Sequence, residues 1–280
     1  MRVTILGASG FIGTRLAAAL EERGDTVVRT SLRDPVAAAV ASAGSDVVVN
    51  LAGAGVSSRW TARQKRAIEE TRIDLPRLYL EALRSVEGRP RAYVSASAVG
   101  YYGTSRTGTF TETSPPGIDF LARVCTGWEA EARHAATLEM RVAIVRTGLV
   151  LGAEGGALAM LLPLFRAGLG GIAGDGKQWY SWIHIEDEVG IYLHAIDGAD
   201  GVFNGTAPNP VTNREFTHTL GAAVHRPTLV PLPAFAAQLV LGEAATMVTA
   251  GQRVLPERTL ASGYRFRHPE LDEALRSIVR

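Results

Sequence analysis

Residues 3–13 read VTILGASGFIG, and the fold turns on them. A short β-rich run ends at Gly7. Gly10 and Gly13 follow at intervals of three, across a change from strand-like to helical spacing. Gly7 lets the chain turn sharply, Gly10 lets backbone approach a diphosphate, and Gly13 lets helix and strand pack closely. Phe11, Ile12, Leu16, Ala19 and Leu20 then share one helical face, and Gly24 stops the helix. The first turn of such a helix presents unpaired N–H groups to an anion. A tight turn without ligand is the plainer alternative. The context favours the anion, because a strand precedes and a helix follows at the head of an alternating pattern. The expected contacts are Gly7, Ser9, Gly10, Phe11, Ile12 and Gly13.

Outward from that turn, strand-like runs recur at 26–30, 46–51, 92–95 and 142–145. DVVVNL (46–51) is continuously apolar at its centre, as in a strand buried on both faces. Helical patterns fill 61–86 and 119–137. Strands alternating with helices predict an α/β fold, a Rossmann-type doubly wound parallel sheet with right-handed crossovers. After Gly152 the pattern changes, and Gly and Pro become frequent. Residues 213–224, 233–250 and 269–279 read as helices, the last with Pro269 at its start. The division expected is a dinucleotide-binding domain over 1–152, to which 178–205 returns. A smaller C-terminal lobe over 153–177 and 206–280 then lies on the substrate side.

Composition narrows the function. Apolar residues are 46% and charged residues 20% of 280, enough for a sizeable core. Net charge is +1, with no basic stripe for nucleic acid. Cys125 is the single cysteine, so no intrachain disulfide can form, which fits a reducing compartment. The start carries no signal-peptide pattern, and the apolar stretches near 155–165 and 231–242 are too short to span a bilayer. A cytoplasmic protein without membrane or nucleic-acid partners is expected.

The second strand bears on the cofactor. An acid some 20 residues past the glycines would hold a ribose 2′-hydroxyl and select NAD. Residues 26–33, TVVRTSLR, contain no acid. They contain Arg29 and Arg33, and a guanidinium can hold a 2′-phosphate bidentately. NADP is therefore expected, with Ser31 and Arg33 at the phosphate. Arg29 is the alternative, and a solvated charge is the plain reading of either.

These features resemble the short-chain dehydrogenase/reductase superfamily, in its extended branch of nucleotide-sugar epimerases and dehydratases. VVVNLAG (47–53) is similar to the strand and loop under the adenine and ribose. YVSASAVGYYG (93–103) is similar to the strand that delivers the catalytic serine, here Ser97. VAIVRTGLVLG (142–152) is similar to the segment that meets the nicotinamide. SWIHIEDEV (181–189) matches a His-x-x-Asp segment, with His184 and Asp187 in structural roles. Together with DFLA-x-x-C-x-x-WE (119–129) and GQRVLPE (251–257), these strings resemble the atypical epimerase-family proteins, whose C-terminal region has no assigned function. The resemblance implies cofactor contacts at Leu51, Ala52, Gly53, Arg72, Ser95, Ala96, Arg146 and Val150. It also implies a small-molecule substrate, and a homodimer seam on helices 61–86 and 119–137.

One departure is chemical. The superfamily's enzymes carry Tyr and Lys at i and i+4 on a helix, where the phenol shuttles a proton. Here Leu121 and Cys125 occupy the pair, and Arg72 stands where an asparagine is usual. The only lysines, Lys65 and Lys177, follow Thr61 and Ala173 at that spacing. Catalytic candidates are Ser97, to polarise a carbonyl, Cys125, as an acid or nucleophile with a lowered pKa, and Tyr101, as a substitute phenol. Each has a plainer reading as a loop or packing residue. Glu112 and Asp119 could serve as bases or merely as caps. His184 and Asp187 lack the further ligands of a metal site, so none is expected. The choice lies between an NADP(H)-dependent oxidoreductase or epimerase-like enzyme and a non-catalytic NADP(H)-binding regulator.

Overall fold

The computed structural model describes residues 1–279, without the side chains of Ala236, Ala237 and Val240. Strand β1 (Arg2–Leu6) leads through the glycine turn into helix α1 (Phe11–Glu22). Then come β2 (Thr26–Thr30), α2 (Pro35–Ala41), β3 (Val47–Asn50), α3 (Ala62–Glu69), α4 (Leu75–Leu83) and β4 (Ala92–Ala98). A 3₁₀ turn (Val99–Tyr102) and the two-residue β5 (Thr109–Phe110) precede α5 (Phe120–His134) and β6 (Arg141–Thr147). Next are β7 (Leu149–Gly152), α6 (Gly156–Arg166), β8 (Trp179–Tyr180), β9 (Trp182–His184), α7 (Ile185–Ile196) and β10 (Gly201–Gly205). The lobe continues through β11 (Val211–Thr212), α8 (Asn213–Ala223), α9 (Ala234–Leu241), α10 (Thr246–Thr249), β12 (Arg253–Val254), α11 (Glu257–Ala261) and α12 (Leu271–Val279).

The main sheet has six parallel strands in the order β2-β1-β3-β4-β6-β10. Its direction of growth reverses between β1 and β3, which is where such sheets open a crevice at their carboxyl ends. Alternation along the strands splits the core. Val3, Ile5, Val49, Val94 and Val145 meet α1 and α7 on one face. Leu6, Val48, Tyr93 and Ile144 meet α2, α4 and α5 on the other. A third cluster packs Leu158, Leu162 and Phe165 of α6 with Phe216, Leu220, Leu271 and Leu275 of α8 and α12. Residues 178–205 return to the sheet through α7 and the edge strand β10.

Several boundaries differ from expectation. The single helix read over 61–86 is α3 and α4 joined by a π-helical turn, Glu70–Asp74. That turn rotates Arg72 toward the end of β3. The helix read over 233–250 breaks at Gly242, whose φ of 59° ends α9. Helix α2, PVAAAVA, lacks a clear periodic face and goes unread by pattern, although Asp34 caps it and Pro35 starts it. The outward side of α5 exposes Arg123, Thr126, Ala130 and Arg133. Among the described residues, no helix is long and apolar enough to cross a membrane.

Candidate functional site

The glycine turn leaves no room for a side chain at Gly7 or Gly13. Gly7 has φ 86°, and a Cβ there would lie 2.9 Å from the Ala52 amide nitrogen. A Cβ on Gly13 would lie 2.5 Å from the Gly7 carbonyl oxygen. The Gly10 N–H donates to that carbonyl at 3.1 Å, closing the turn. No side chain caps α1, whose N-cap is Gly10. The orphan N–H groups of the first turn, around Phe11, Ile12 and Gly13, therefore point to the switch point. Ser9 and Gly10 are exposed there. The Phe11 ring is turned away from the turn. It fills the space beside Gly152, Gly155 and Gly156, so its side chain packs the loop into α6 and only its backbone serves the anion site.

The two arginines of the second strand separate. Arg29 forms a two-pronged pair with Glu21, with Nη1 at 2.7 Å and Nη2 at 2.8 Å from its carboxylate oxygens. Glu21 lies near the C-terminal end of α1, about 15 Å along the axis from the glycine turn. Arg33 is exposed and has no side-chain partner among the described residues. The Ser31 hydroxyl oxygen accepts the Arg33 N–H at 3.3 Å, shaping the loop just past β2.

At the end of β3, Asn50 organises the next loop. Its Oδ1 accepts the Ala52 N–H at 3.1 Å, and its Nδ2 donates to the Tyr93 hydroxyl at 2.9 Å. Leu51 and Ala52 pack on opposite cores, and Gly53 is exposed. The Arg72 guanidinium covers Gly53, where a Cβ would lie 2.9 Å from Cζ. It donates to the Ala54 carbonyl at 2.9 Å and stands 5.0 Å over the Trp128 ring. No carboxylate pairs with it among the described residues, and burial pulls its pKa down.

At the end of β4 the expected roles change. Leu121 and Cys125 both face Gly100, where a Cβ would meet Leu121 Cβ at 3.2 Å and Cys125 Sγ at 3.8 Å. The Cys125 thiol is pushed up to about 12, by burial first and then by the Glu129 charge, and Arg72 only partly offsets this. Burial and the Glu129 charge thus work against the lowered thiol pKa that was expected. The Ser97 hydroxyl donates to Glu129 Oε1 at 2.9 Å, so its one proton is committed inside the protein and not to a substrate carbonyl. Arg146, expected at the cofactor, is 2% exposed and turned toward α5. Its Nε and Nη2 reach the two Glu129 oxygens at 2.7 and 2.9 Å, and its Nη1 donates to the Tyr102 hydroxyl and the Glu112 carbonyl. With every edge engaged, the guanidinium holds a buried ion pair and has no free donor to offer a ligand. Ser95 is fully buried with its hydroxyl on the Ala96 carbonyl, and Ala96 and Val150 are also buried, so none of these side chains opens to solvent. Tyr101 is half-exposed and stacks on the Arg146 guanidinium, 3.5 Å from its ring centre.

Glu129 is the residue that sequence reasoning missed, and Tyr102 and Glu112, read as a spare phenol and a possible base or cap, make contacts it did not foresee. Glu129 continues the stripe of Leu121 and Cys125 at i+8, a signal that was available. Tyr102 donates to Asn204 Oδ1 at 2.6 Å, a contact across 102 residues with no local signature. Glu112 accepts from the backbone of Asn204, Arg258 and Thr259, so it is a buried tie and not a base. Asp119 caps α5 through the Ala122 N–H.

His184 lies apart from this network. Its Nδ1 accepts the Glu186 N–H, its Nε2 meets the Ser277 hydroxyl, and its ring stacks 3.8 Å from His268. His184, Glu186 and His268 bring ligand-type atoms within 4.8 Å of one another, a juxtaposition the sequence spacing hides. Both His184 nitrogens are already partnered, so the group reads as a hydrogen-bonded cluster. The Asp187 carboxylate accepts from the Tyr264 hydroxyl and from the Arg267 and His268 amides, which anchors the lobe.

A doubly wound sheet with an uncapped, glycine-entered helix at its switch point defines a Rossmann-type nucleotide-binding protein. Comparison with known proteins narrows the class. The chain belongs to the NAD-dependent epimerase/dehydratase family, whose pattern matches residues 3–208. A domain of unknown function, DUF1731, matches residues 232–278. The chain is 41% identical to the epimerase family protein SDR39U1 homolog, chloroplastic, of Arabidopsis thaliana, over 100% of this chain and 87% of that one. It is 40% identical to human epimerase family protein SDR39U1 over the whole of both chains. A crystal structure of the human protein with NADPH superposes with a TM-score of 0.93 at 39% identity, covering 99% of each chain. A Thermotoga maritima UDP-glucose 4-epimerase shares the fold at a TM-score of 0.81 and 19% identity, covering 100% of this chain and 97% of that one.

Proposed function

We propose that this protein binds NADPH across the carboxyl edge of its sheet and reduces a small carbonyl compound, or acts as an epimerase on a nucleotide-sugar type substrate. The observation that carries the cofactor half is the turn into α1. Gly7 and Gly13 occupy space that no Cβ could share, and the first N–H groups of the helix have no side-chain cap. Backbone amides there would hold the diphosphate. Arg33 and Ser31 would hold the 2′-phosphate, since Arg29 is tied to Glu21. Leu51, Ala52 and Gly53 would floor the ribose, with Arg72 above them. The human relative's structure with NADPH supports the phosphorylated coenzyme.

When bound, the nicotinamide supplies or accepts hydride. The chain's own contribution is at the substrate oxygen. Ser97 and Cys125 are committed elsewhere, so the half-exposed Tyr101, propped on Arg146, is the phenol available to give a proton there. The second reading, a cofactor-binding regulator without turnover, is favoured by the same withdrawal of Ser97 and Cys125. Calorimetry with NADPH and NADH tests the binding, and a carbonyl panel followed at the NADPH absorbance tests the chemistry. NADPH oxidation with product formed supports the enzyme. Tight binding with no turnover across the panel supports the regulator, and no heat with either coenzyme defeats both. A cytoplasmic setting fits the single buried thiol, though the Arabidopsis relative is described as chloroplastic.

A further inference from the structure

The region 232–278 has no assigned function, yet its contacts converge on the loops around the site. Toward the loop after β3, Arg59 donates to the Leu239 carbonyl at 3.3 Å and Lys65 pairs with Glu243. Toward the turn after β4, the buried Gln252 donates through Nε2 to the Val99 carbonyl at 2.7 Å. The Gly251 carbonyl accepts the Ser105 N–H at 2.9 Å. Behind β10, Asn204 Nδ2 donates to the Leu255 carbonyl at 2.9 Å. Glu112 gathers the Arg258 and Thr259 amides at 3.1 and 3.2 Å. The segment 251–259 is itself fixed. Gly251 lies against the Trp179 backbone, and the Ser181 hydroxyl donates to the Gln252 carbonyl while accepting the Val254 N–H.

We propose that this region is the frame of the nicotinamide half of the cleft, and that Gln252 is the positioning residue that sets the 99–102 turn. This rests on the NADPH reading given above. The turn carries Tyr101, whose ring lies on Arg146, and it seals Leu121 and Cys125 beneath Gly100. Gln252 reaches it from 153 residues away and, among the described residues, shares no hydrogen bond with the glycine turn or Arg33. Its loss should therefore loosen one half of the cleft and spare the other.

Gln252→Met keeps the length of the side chain and removes the donor. Hydrogen exchange of the ligand-free protein reads the tether directly, and the amides of 99–105 should exchange about tenfold faster. Calorimetry should show NADPH weakened about tenfold and adenosine 2′,5′-bisphosphate, which lacks the nicotinamide, changed by less than about twofold. Unchanged exchange in 99–105 would overturn the proposal, as would equal weakening of both ligands. If the unaltered protein binds neither ligand, the NADPH reading fails, and the exchange measurement alone then decides whether the frame exists. Should Gln252→Met not fold, Ser181→Ala loosens the same segment and is read by the same two measurements against the same outcomes.

Discussion

Arg29 and Arg33 stand four residues apart and have opposite fates. Glu21 neutralises the first, and the second extends into solvent past the sheet's edge. Arg33→Ala is expected to weaken NADPH about tenfold or more and to leave NADH nearly unchanged, since only the charge-assisted contact to the 2′-phosphate is lost. Paired calorimetric titrations check this. A second residue, Glu188, is fully buried, with Oε1 accepting the Thr147 hydroxyl at 2.6 Å and Oε2 without a partner. Burial pushes its carboxyl up to about 8. A folded pKa above the unfolded one means stability present at low pH is lost as pH rises from the ordinary carboxylate range toward 8. Glu188→Gln should therefore raise the melting temperature by about 3 °C or more at pH 8 and by less at pH 5, in thermal unfolding scans. At this scale the sequence was legible wherever backbone geometry demands glycine, as at Gly7 and Gly13. It was silent at Arg146, because nothing in RTG reveals that the side chain alternates onto the α5 face and finds Glu129.

Helix α5 shows what an element can hide. Its stripe of Leu121, Cys125 and Glu129 reads as an altered catalytic helix, yet the structure buries all its chemistry. Glu129 accepts from Arg146, Arg133 and Ser97 together. Removing one partner of such a buried pair strands the other charge, so Glu129→Gln should cost about 3–5 kcal/mol in urea unfolding. Cys125 makes a companion test. With its thiol pushed up to about 12, alkylation by iodoacetamide at pH 8 should be far slower in the native protein than in urea, where the ordinary thiol is restored. The π turn between α3 and α4 belongs to the same scale. Helical periodicity over 61–86 predicts the rod, but one extra residue per turn leaves no mark in the pattern.

For the whole molecule, alternating strands and helices announced the doubly wound sheet, and the run DVVVNL announced its buried centre. The lobe was less legible, since two-residue strands such as β8, β11 and β12 carry too few residues to show a period. His184, beside the attachment of the lobe, gives a pH response. His184 is held down to about 4, by burial first and then by the neighbouring His268 charge. A folded pKa below the unfolded one gives stability present above about 6.5 and lost as pH falls toward 4. The melting temperature should drop across that window, and less steeply in His184→Gln. The tethers at 251–259 carry a consequence for biogenesis. A ribosome releases the sheet strands, the glycine turn and Arg33 long before Gln252 and Thr259 emerge. The end of the crevice at the glycine turn can thus form on a nascent chain, whereas the end at the 99–102 turn has to wait until translation has passed residue 259.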